Sequence, residues 1–455
     1  MALLKRFGRV AWVGAAVVVL GSVVSSQALA ITSFTRQTGL PCSSCHVIPP
    51  ELTPFGRSFK LNGYTLTGMP QIKAKPSHEQ VGLSVNRFLP VAAAIPISFT
   101  STNEPIPGAQ NGSVSIPQEI GLYFSGAVSS HVGSFTQITY DPRADHVSLD
   151  MLDWRYAKRT KLAGKDLVYG VDFNTAPTIE DLWNDTPQWG FPWYGSDAAP
   201  GPMAATLIDN TLANDLGGVG LYAMWNDHLY GDFTVFRTAH LGADQPIDGA
   251  GYPFNIRGSA PYWRVAWQQP MGNNYLEVGT YGMHVSSTPG AVIGPEDHYT
   301  DVAVDSQYER ILPKLANNVI TVHTTYIHES SDLTATYAFG GAAFAHHDLN
   351  TYRLDGTYHW GNKYGATVGY FNTWGTRDPL LYTLNSADPV DGSANGDPKS
   401  DGYILQFAWW PVQNIDLAIQ YTGYMNFNGR GTNYDGTGRN AADNNTVYSR
   451  VWFIF

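Results

Sequence analysis

Two cysteines and a histidine stand together near the start of the chain, in the stretch CSSCH at residues 42–46. Cys42 and Cys45 are the only cysteines among the 455 residues. A Cys-x-x-Cys pair can serve as a redox disulfide, as half of a zinc site or as the attachment point of a c-type haem. A redox pair would lie beside a βαβ pattern, whereas this chain continues into Pro49 and Pro50. A zinc site would need a second pair of ligands, and there is no third cysteine.

Haem attachment uses all three side chains. The thiols of Cys42 and Cys45 would form thioether links to the vinyl groups of one haem, and His46 would bind its iron. The sequence therefore predicts one covalent haem c with His46 as the proximal iron ligand.

The first 30 residues predict a secretory signal peptide. Lys5, Arg6 and Arg9 precede the apolar run VAWVGAAVVVLGSVV, and the small-residue sequence ALA ends at Ala30. That run is short for a spanning helix, and no other segment approaches the 18 or so apolar residues that such a helix needs. Export agrees with haem attachment, because c-type haem is attached outside the cytoplasm.

The N-terminal segment, residues 31–80, is small for a cytochrome. It has about 50 residues, and domains of this size are marginal even without a large cofactor to enclose. Arg57 and Lys60 are candidate partners of the haem propionates, because a buried carboxylate needs a counter-charge or hydrogen bonds. Another part of the protein must shield the rest of the haem.

The remainder of the chain predicts two-faced β-strands. Only 14% of the residues are charged against 43% hydrophobic, and 26 Tyr, 13 Trp and 46 Gly distinguish the chain from an ordinary cytosolic enzyme. Runs of roughly ten residues alternate apolar with polar or small side chains and are bounded by turn residues. In EIGLYFSGAV, for example, Leu122 and Phe124 point to one side, with Tyr123 and Ser125 on the other.

Sixteen such runs predict a transmembrane barrel. They lie near 80–90, 117–127, 131–141, 146–157, 164–173, 216–226, 228–239, 258–268, 273–286, 298–311, 318–330, 347–360, 363–376, 400–411, 415–427 and 444–455. Tight turns alternate with longer loops, and the chain ends on the aromatic Phe455, as outer-membrane barrels do. A soluble sandwich or propeller is the alternative, but no repeat of about 40 residues is visible. The predicted fold class is all-β, a sixteen-stranded antiparallel transmembrane β-barrel over residues 81–455 in the outer membrane.

A sixteen-stranded barrel has a lumen wide enough for a channel or a plug. We therefore expect the N-terminal segment to plug the lumen or its mouth, so that the barrel wall shields the haem. The segment has five basic and two acidic residues, whereas the whole chain carries a net charge of −11. A basic plug in an acidic wall is electrostatically complementary.

The run FTRQTGLPCSSCHVIPPELTPFGRSFKLNGYT at residues 34–65, followed by a porin-like barrel, resembles the fused monohaem cytochrome-porins of iron-oxidising bacteria. Members of that family are outer-membrane iron(II) oxidases. The match is one of motifs over residues 34–65 and of architecture and length elsewhere. The resemblance implies one haem c at Cys42, Cys45 and His46, and electron transfer from extracellular iron(II) to a periplasmic cytochrome c or copper protein.

Met69 is the first candidate for the sixth iron ligand, because His/Met ligation raises the potential, as an oxidant of iron(II) requires. His78 is the second choice. A histidine that faces the lumen, such as His323 or His228, or an open site, is a further alternative.

The loop at 174–215 offers acidic side chains as candidate attractors of a divalent cation, although a solvated acidic loop is the commoner case. These residues are Glu180, Asp181, Asp185, Asp197, Asp209 and Asp215.

Two functions from different classes follow. The first is an electron-transfer protein, an iron(II):cytochrome c oxidoreductase of the outer membrane with lipid around it and no nucleic-acid partner. The second is a plugged porin that passes solutes without a redox role. The presence of covalent haem in the purified protein would distinguish the first function from the second.

Overall fold

The computed structural model describes residues 31–74, 82–212, 216–238, 255–289, 293–383 and 390–455. The predicted signal peptide, residues 1–30, lies outside the described residues. Among the described residues, three short helices come first, α1 (Thr32–Thr38), α2 (Cys42–Cys45) and α3 (Pro54–Leu61). A two-stranded hairpin follows, made of β1 (Gln71–Ala74) and β2 (Leu83–Asn86).

The rest of the chain forms one closed antiparallel barrel. Its strands are β3 (Val91–Thr102), β4 (Ser113–Ser115), β5 (Ile120–Phe124), β6 (Gly126–Ala127), β7 (Val132–Asp141), β8 (His146–Leu162), β9 (Lys165–Asn174), β10 (Leu216–Trp225), β11 (Leu229–Thr238), β12 (Ala260–Met271), β13 (Asn274–Ser287), β14 (Asp297–Leu312), β15 (Asn318–Asp332), β16 (His346–Trp360), β17 (Tyr364–Gly375), β18 (Ser400–Val412), β19 (Ile415–Asn426) and β20 (Thr446–Ile454). Helix α4 (Thr334–Ala338) and short helical turns at Leu207–Thr211, Pro313–Leu315 and Ala441–Asn444 lie in the loops. Because β4, β5 and β6 are successive pieces of one strand between β3 and β7, the barrel has sixteen strands, which confirms the predicted number.

The barrel closes where its last strand pairs with its first. Thr446 of β20 lies opposite Thr102 of β3, and the backbones of Ala93 and Phe455 exchange hydrogen bonds of 2.7 and 2.9 Å. Both barrel ends therefore lie at the rim that carries the short turns, such as the one between β18 and β19. In outer-membrane barrels the short turns face the periplasm, so we name this the periplasmic rim.

Side chains alternate across the barrel wall. On β5, Leu122 and Phe124 are exposed and Tyr123 is buried, and on β12 the exposed Val265 follows the buried Arg264. A closed sheet with an apolar outer face satisfies its backbone polar groups in lipid. The chain is therefore an outer-membrane β-barrel, as predicted. No helix in the described part of the chain is long and apolar enough to cross a membrane.

The first barrel strand is β3, and the barrel strand predicted near residues 80–90 is wrong. The described part of that run, β2, pairs with β1 in a separate hairpin. The inner face of β3 is small and apolar at Ala92 and Ala94, which share an apolar cluster with Phe59 and Tyr64. Because the N-terminal segment covers this part of the wall, the first half of β3 lacks the polar inner face that its second half shows at Ser98 and Thr100.

Two stretches contact the inner wall. In the N-terminal segment, the carbonyl of Leu61 accepts a hydrogen bond of 3.0 Å from the Tyr222 hydroxyl of β10. The inward loop, residues 175–212 between β9 and β10, contacts inward-facing side chains of β3, β12 and β16. The contacted residues are Thr100, Arg264 and Arg353.

Candidate functional site

The CSSCH stretch forms a single helical turn at the periplasmic rim. Helix α2 spans Cys42–Cys45, and the backbone N–H of His46 donates to the carbonyl of Cys42 at 2.9 Å. The backbone N–H of Cys42 donates to Gln413 Oε1 at 2.8 Å, which ties this turn to the connection between β18 and β19. Asn362, in the turn between β16 and β17, lines a small cavity beside Cys42 and His46. Two neighbouring short turns of the barrel therefore flank the candidate haem ligands.

The start of helix α3 holds this turn in place. The backbone N–H of Thr53 donates to the carbonyl of Cys45 at 2.9 Å, and its hydroxyl donates to the carbonyl of Ser44 at 2.7 Å. The same hydroxyl caps the helix by accepting from the backbone N–H of Gly56 at 3.1 Å. Gly56 permits this close approach, because a Cβ at that position would lie 2.1 Å from the carbonyl oxygen of Cys45.

The donor atoms of the turn fit a covalent haem. Both cysteines are free thiols, and burial raises the pKa of Cys42 to about 12 and that of Cys45 to about 11, so both stay protonated. Burial lowers the pKa of His46 to about 4, which keeps the imidazole neutral and able to bind a metal. His46 Nδ1 is buried and has no hydrogen-bond partner among the described residues.

The free space beside the turn is smaller than a haem. The cavity, whose lining includes Cys42, His46, Ile48 and Trp410, measures about 20 Å³, which is room for one water molecule. A macrocycle would need these side chains to move apart, or would have to be attached before the N-terminal segment packs against the wall. The residue types therefore fit haem c, whereas the cavity beside them is too small to hold the macrocycle.

Arg57 and Lys60, the predicted propionate partners, contact acceptors from the protein. Arg57 Nη1 donates to the carbonyl of Leu52 at 2.9 Å and to the carboxylate of Glu309 on β14. Lys60 Nζ donates to Asn184 Oδ1 in the inward loop at 3.0 Å. Arg57 Nη2 is buried without a partner among the described residues. Pairing of either cation with a propionate stays a prediction.

The candidate sixth ligands are spread over the chain. Met69 Sδ accepts a hydrogen bond of 3.1 Å from the backbone N–H of Leu66, and Met69 does not line the cavity beside His46. His78 lies outside the described residues. His323 is buried on β15, and His228 lies in a short turn of the periplasmic rim. The identity of the sixth ligand therefore stays a prediction.

Most acidic side chains of the inward loop are buried, so the alternative of a solvated acidic loop is wrong for four of them, while cation attraction stays a prediction. The four are Glu180, Asp181 and Asp185, together with Asp209, whose side chain is 3% exposed. Asp181 Oδ1 lies 3.2 Å from Arg264 Nη2 on β12, so this carboxylate pairs with a cation of the barrel wall. Asp197 is exposed, and Asp215 lies outside the described residues. The partner arginine is distant in sequence, so the loop composition alone could not reveal it.

A group of metal-ligating side chains that the sequence analysis did not bring together lies where the N-terminal segment meets β15 and β16. It consists of Glu51, His323 and Asp355, all buried. Strand alternation could have placed His323 and Asp355 on the inner face, because each falls on an inward position of its strand. Nothing in the sequence connects them to Glu51.

No family model and no curated protein matches the chain. Among solved structures, it is similar to OmpF of Salmonella typhi in complex with daunomycin, with 11% identity, a TM-score of 0.45, and coverage of 80% of this chain and 97% of that chain. It is also similar to the outer membrane channel DcaP of Acinetobacter baumannii, with 10% identity, a TM-score of 0.44 and coverage of 80% and 96%. An anion-selective porin from Comamonas acidovorans is similar at 11% identity and a TM-score of 0.43, with coverage of 80% and 98%. The barrel assignment rests on the strand pairing and not on these similarities.

Proposed function

We propose that this chain is an outer-membrane cytochrome-porin that carries electrons from extracellular iron(II) to a periplasmic cytochrome c or copper protein. One observation carries the proposal. Two free thiols stand in a single helical turn at the periplasmic rim, followed by His46, whose buried Nδ1 has no partner among the described residues. A haem c attached there would supply a one-electron couple. Cys42 and Cys45 would hold it covalently, His46 would bind its iron, and Met69 remains the first candidate for a second iron ligand.

The residues around the turn would fix the position of the attached group. Gln413 Oε1 accepts from the backbone N–H of Cys42 at 2.8 Å, where the turn begins. Thr53 donates to the carbonyls of Ser44 and Cys45, where the turn ends. These contacts limit how far the thiols can move from the rim. A periplasmic acceptor could approach the same rim without entering the barrel.

The contents of the barrel favour the passage of electrons over free diffusion of solutes. Trp183 of the inward loop, Leu61 of the N-terminal segment and Tyr230 of β11 belong to one buried apolar cluster. The two inner stretches therefore pack on each other as well as on the wall. Iron(III) is poorly soluble, so a cell gains by taking only the electron and leaving the metal outside.

A plugged porin that passes small solutes without a redox role is the second candidate. A cavity of about 330 Å³ between the inward loop and the strands from β16 to β20 favours it. On this alternative, substitution of the cysteines would leave solute uptake into liposomes unchanged, and the purified protein would contain no haem.

Haem staining of the purified full-length protein, together with its optical spectrum, tests the proposal. We expect covalent haem in the native protein and in a Ser43→Ala control, and none in Cys45→Ser. Assembly of each variant is checked by the heat-dependent gel mobility of a folded barrel. Native protein that is assembled but free of covalent haem would overturn the proposal.

Liposomes that enclose an electron acceptor test the donor. Iron(II) added outside should reduce the enclosed acceptor when the native protein or Ser43→Ala is present, and should fail to do so with Cys45→Ser. If the native protein contains haem but iron(II) reduces nothing inside, the haem assignment stands and iron(II) is not the donor.

A further inference from the structure

Four ligating side chains meet inside the barrel near its periplasmic rim, between the N-terminal segment and two strands. Glu51 faces His323 of β15 and Asp355 of β16, and one ligand atom from each of the three lies within 4.8 Å of the other two. His359 of β16 adds a second imidazole, with Nε2 at 2.8 Å from Glu51 Oε2. The exposed fractions of Glu51, His323, Asp355 and His359 are 2%, 5%, 7% and 0%. The set joins two carboxylates to two imidazoles in a site closed to bulk water.

The spacing of the donor atoms suits a divalent transition metal. His323 Nδ1 lies 3.0 Å from Asp355 Oδ2 and 3.8 Å from Glu51 Oε1. Metal bonds of about 2.0–2.2 Å to such ligands set neighbouring donor atoms roughly 3–4 Å apart. Imidazole together with carboxylate is the ligand set of non-haem iron(II) and zinc sites.

The side chains of the cluster partner one another. Thr321 donates its hydroxyl to Glu51 Oε1 at 2.9 Å, and His359 Nε2 pairs with Glu51 Oε2 at 2.8 Å. His323 Nε2 and His359 Nδ1 are buried and have no hydrogen-bond partner among the described residues. Two carboxylates and two imidazoles this close together and out of water need a shared proton or a bound cation to balance their charge.

The large inner cavity reaches this cluster. The cavity of about 330 Å³ is lined by Asp355 at mid-strand and by Tyr424, close to where β19 meets its long loop. Asp209 and Arg353 also line it and pair with each other at 2.8 Å. An ion from the long-loop side therefore has space as far as Asp355.

We propose that Glu51, His323, Asp355 and His359 form a binding site for a divalent transition-metal ion. Glu51 links this site to the haem ligands, since its carbonyl accepts from the backbone N–H of Val47, the residue after His46, at 3.0 Å. If the proposed function is correct, this is where the substrate iron(II) binds. A haem c held by Cys42, Cys45 and His46 would be the acceptor of the one electron that iron(II) gives up on becoming iron(III). Metal binding itself does not depend on the haem.

Cobalt(II) binding to the full-length protein in detergent tests the site. The protein is washed with EDTA and dialysed against cobalt(II), and the bound metal is counted by elemental analysis. We expect the native protein to bind one cobalt(II) more than His323→Ala. A matched control is His347→Ala, which removes another buried histidine that is paired with a carboxylate, Asp378, at 2.9 Å. This control should keep the cobalt(II) ion.

A second variant keeps the test decisive if His323→Ala does not assemble. Asp355→Asn preserves the shape of the side chain and removes its charge, and we expect it to weaken cobalt(II) binding about tenfold or more. Equal cobalt(II) binding by the native protein and by both assembled variants would overturn the site.

The site and the proposed function can fail separately. Cys45→Ser should lose the haem and keep the cobalt(II) ion. Native protein that binds cobalt(II) but carries no haem would leave the metal site standing and remove its role as the donor site. Zinc(II), which cannot give up an electron, should slow haem reduction by iron(II) in the native protein and have no such effect in Asp355→Asn.

Discussion

The N-terminal segment and the inward loop both lie against the inner wall, and their arginine pairs with the wall run in opposite senses. The buried groups of the N-terminal segment at this contact include the cation Arg57, which reaches Glu309 on β14. Those of the inward loop are anions, and Asp181 and Asp185 reach Arg264 on β12. The wall therefore supplies a carboxylate to one stretch and a guanidinium to the other.

The two contacts differ in how many carboxylates surround the arginine. Arg57 meets one carboxylate, whereas Arg264 Nη2 meets four, at N–O distances between 2.7 and 3.7 Å. The four carboxylates belong to Asp181, Asp185, Glu277 and Asp305. Loss of a shared cation leaves several buried carboxylates facing one another. The inward loop should therefore depend on a single residue more strongly than the N-terminal segment does.

The largest effect is expected for Arg264→Met. Removal of this guanidinium leaves four buried carboxylates without their cation, and breaking a buried ion pair costs about 3–5 kcal/mol. We expect a lower temperature for loss of the folded gel band, rapid proteolysis within residues 175–212, and a higher conductance in planar bilayers as the loop leaves the wall.

An exposed arginine provides the control for this variant. Arg257 pairs with Glu296 at 3.4 Å, and its side chain is 54% exposed. Arg257→Met should change the free energy of unfolding by about 1 kcal/mol or less. If both variants melt together and the inward loop stays protected in each, the shared guanidinium does not hold the loop.

The barrel could be predicted from the sequence wherever strand alternation was visible. The two-residue period of a strand was visible where Leu122 and Phe124 fall on one side and Tyr123 on the other. The number of strands followed from a count of similar runs. The first strand was missed because Ala92 and Ala94 face the N-terminal segment and not the polar interior. Apolar and polar side chains alternate along a strand because one face contacts lipid and the other contacts water. The alternation is weaker where protein takes the place of water inside the barrel.

A smaller effect is expected for Arg57→Met. The change removes the cation beside Glu309 and its contact with the ring of Tyr275, at 4.2 Å from the ring centroid. Glu309 keeps a hydrogen bond from Gln307 Nε2 at 2.6 Å, so we expect a cost of about 2 kcal/mol. Protease should then cut within residues 31–66 while the inward loop stays protected.

Lys73→Met is the control, because Lys73 is exposed on β1. It should leave the protease pattern unchanged. A variant at Arg57 that exposes the inward loop as much as the N-terminal segment would show that the two stretches dock as one unit. The ion pairs of Arg57 and Arg264 would then hold both stretches together and not one stretch each.

The candidate haem ligands were predictable because they lie within five consecutive residues, where spacing alone defines the chemistry. The contacts of Arg57 and Lys60 were not, since Glu309 and Asn184 are brought to them by the closed barrel. The same holds for Glu51, which meets His323 only through the tertiary fold. Local sequence identifies a motif, while burial and partners depend on pairings hundreds of residues apart.

The smallest effect is expected for Thr53→Ala, which acts within the N-terminal segment alone. It removes the cap on α3 and the hydroxyl contact with the carbonyl of Ser44, at a cost of about 1 kcal/mol. We expect faster amide hydrogen exchange over residues 42–56, measured by mass spectrometry, and unchanged exchange in the inward loop. Ser58→Ala, in the same helix, should leave exchange at the cysteine turn unaltered. Asn184 of the inward loop already contacts Lys60 and the carbonyl of Pro50. If Thr53→Ala speeds exchange in the inward loop as well, these contacts couple the cysteine turn to the loop, and the two stretches are not independent.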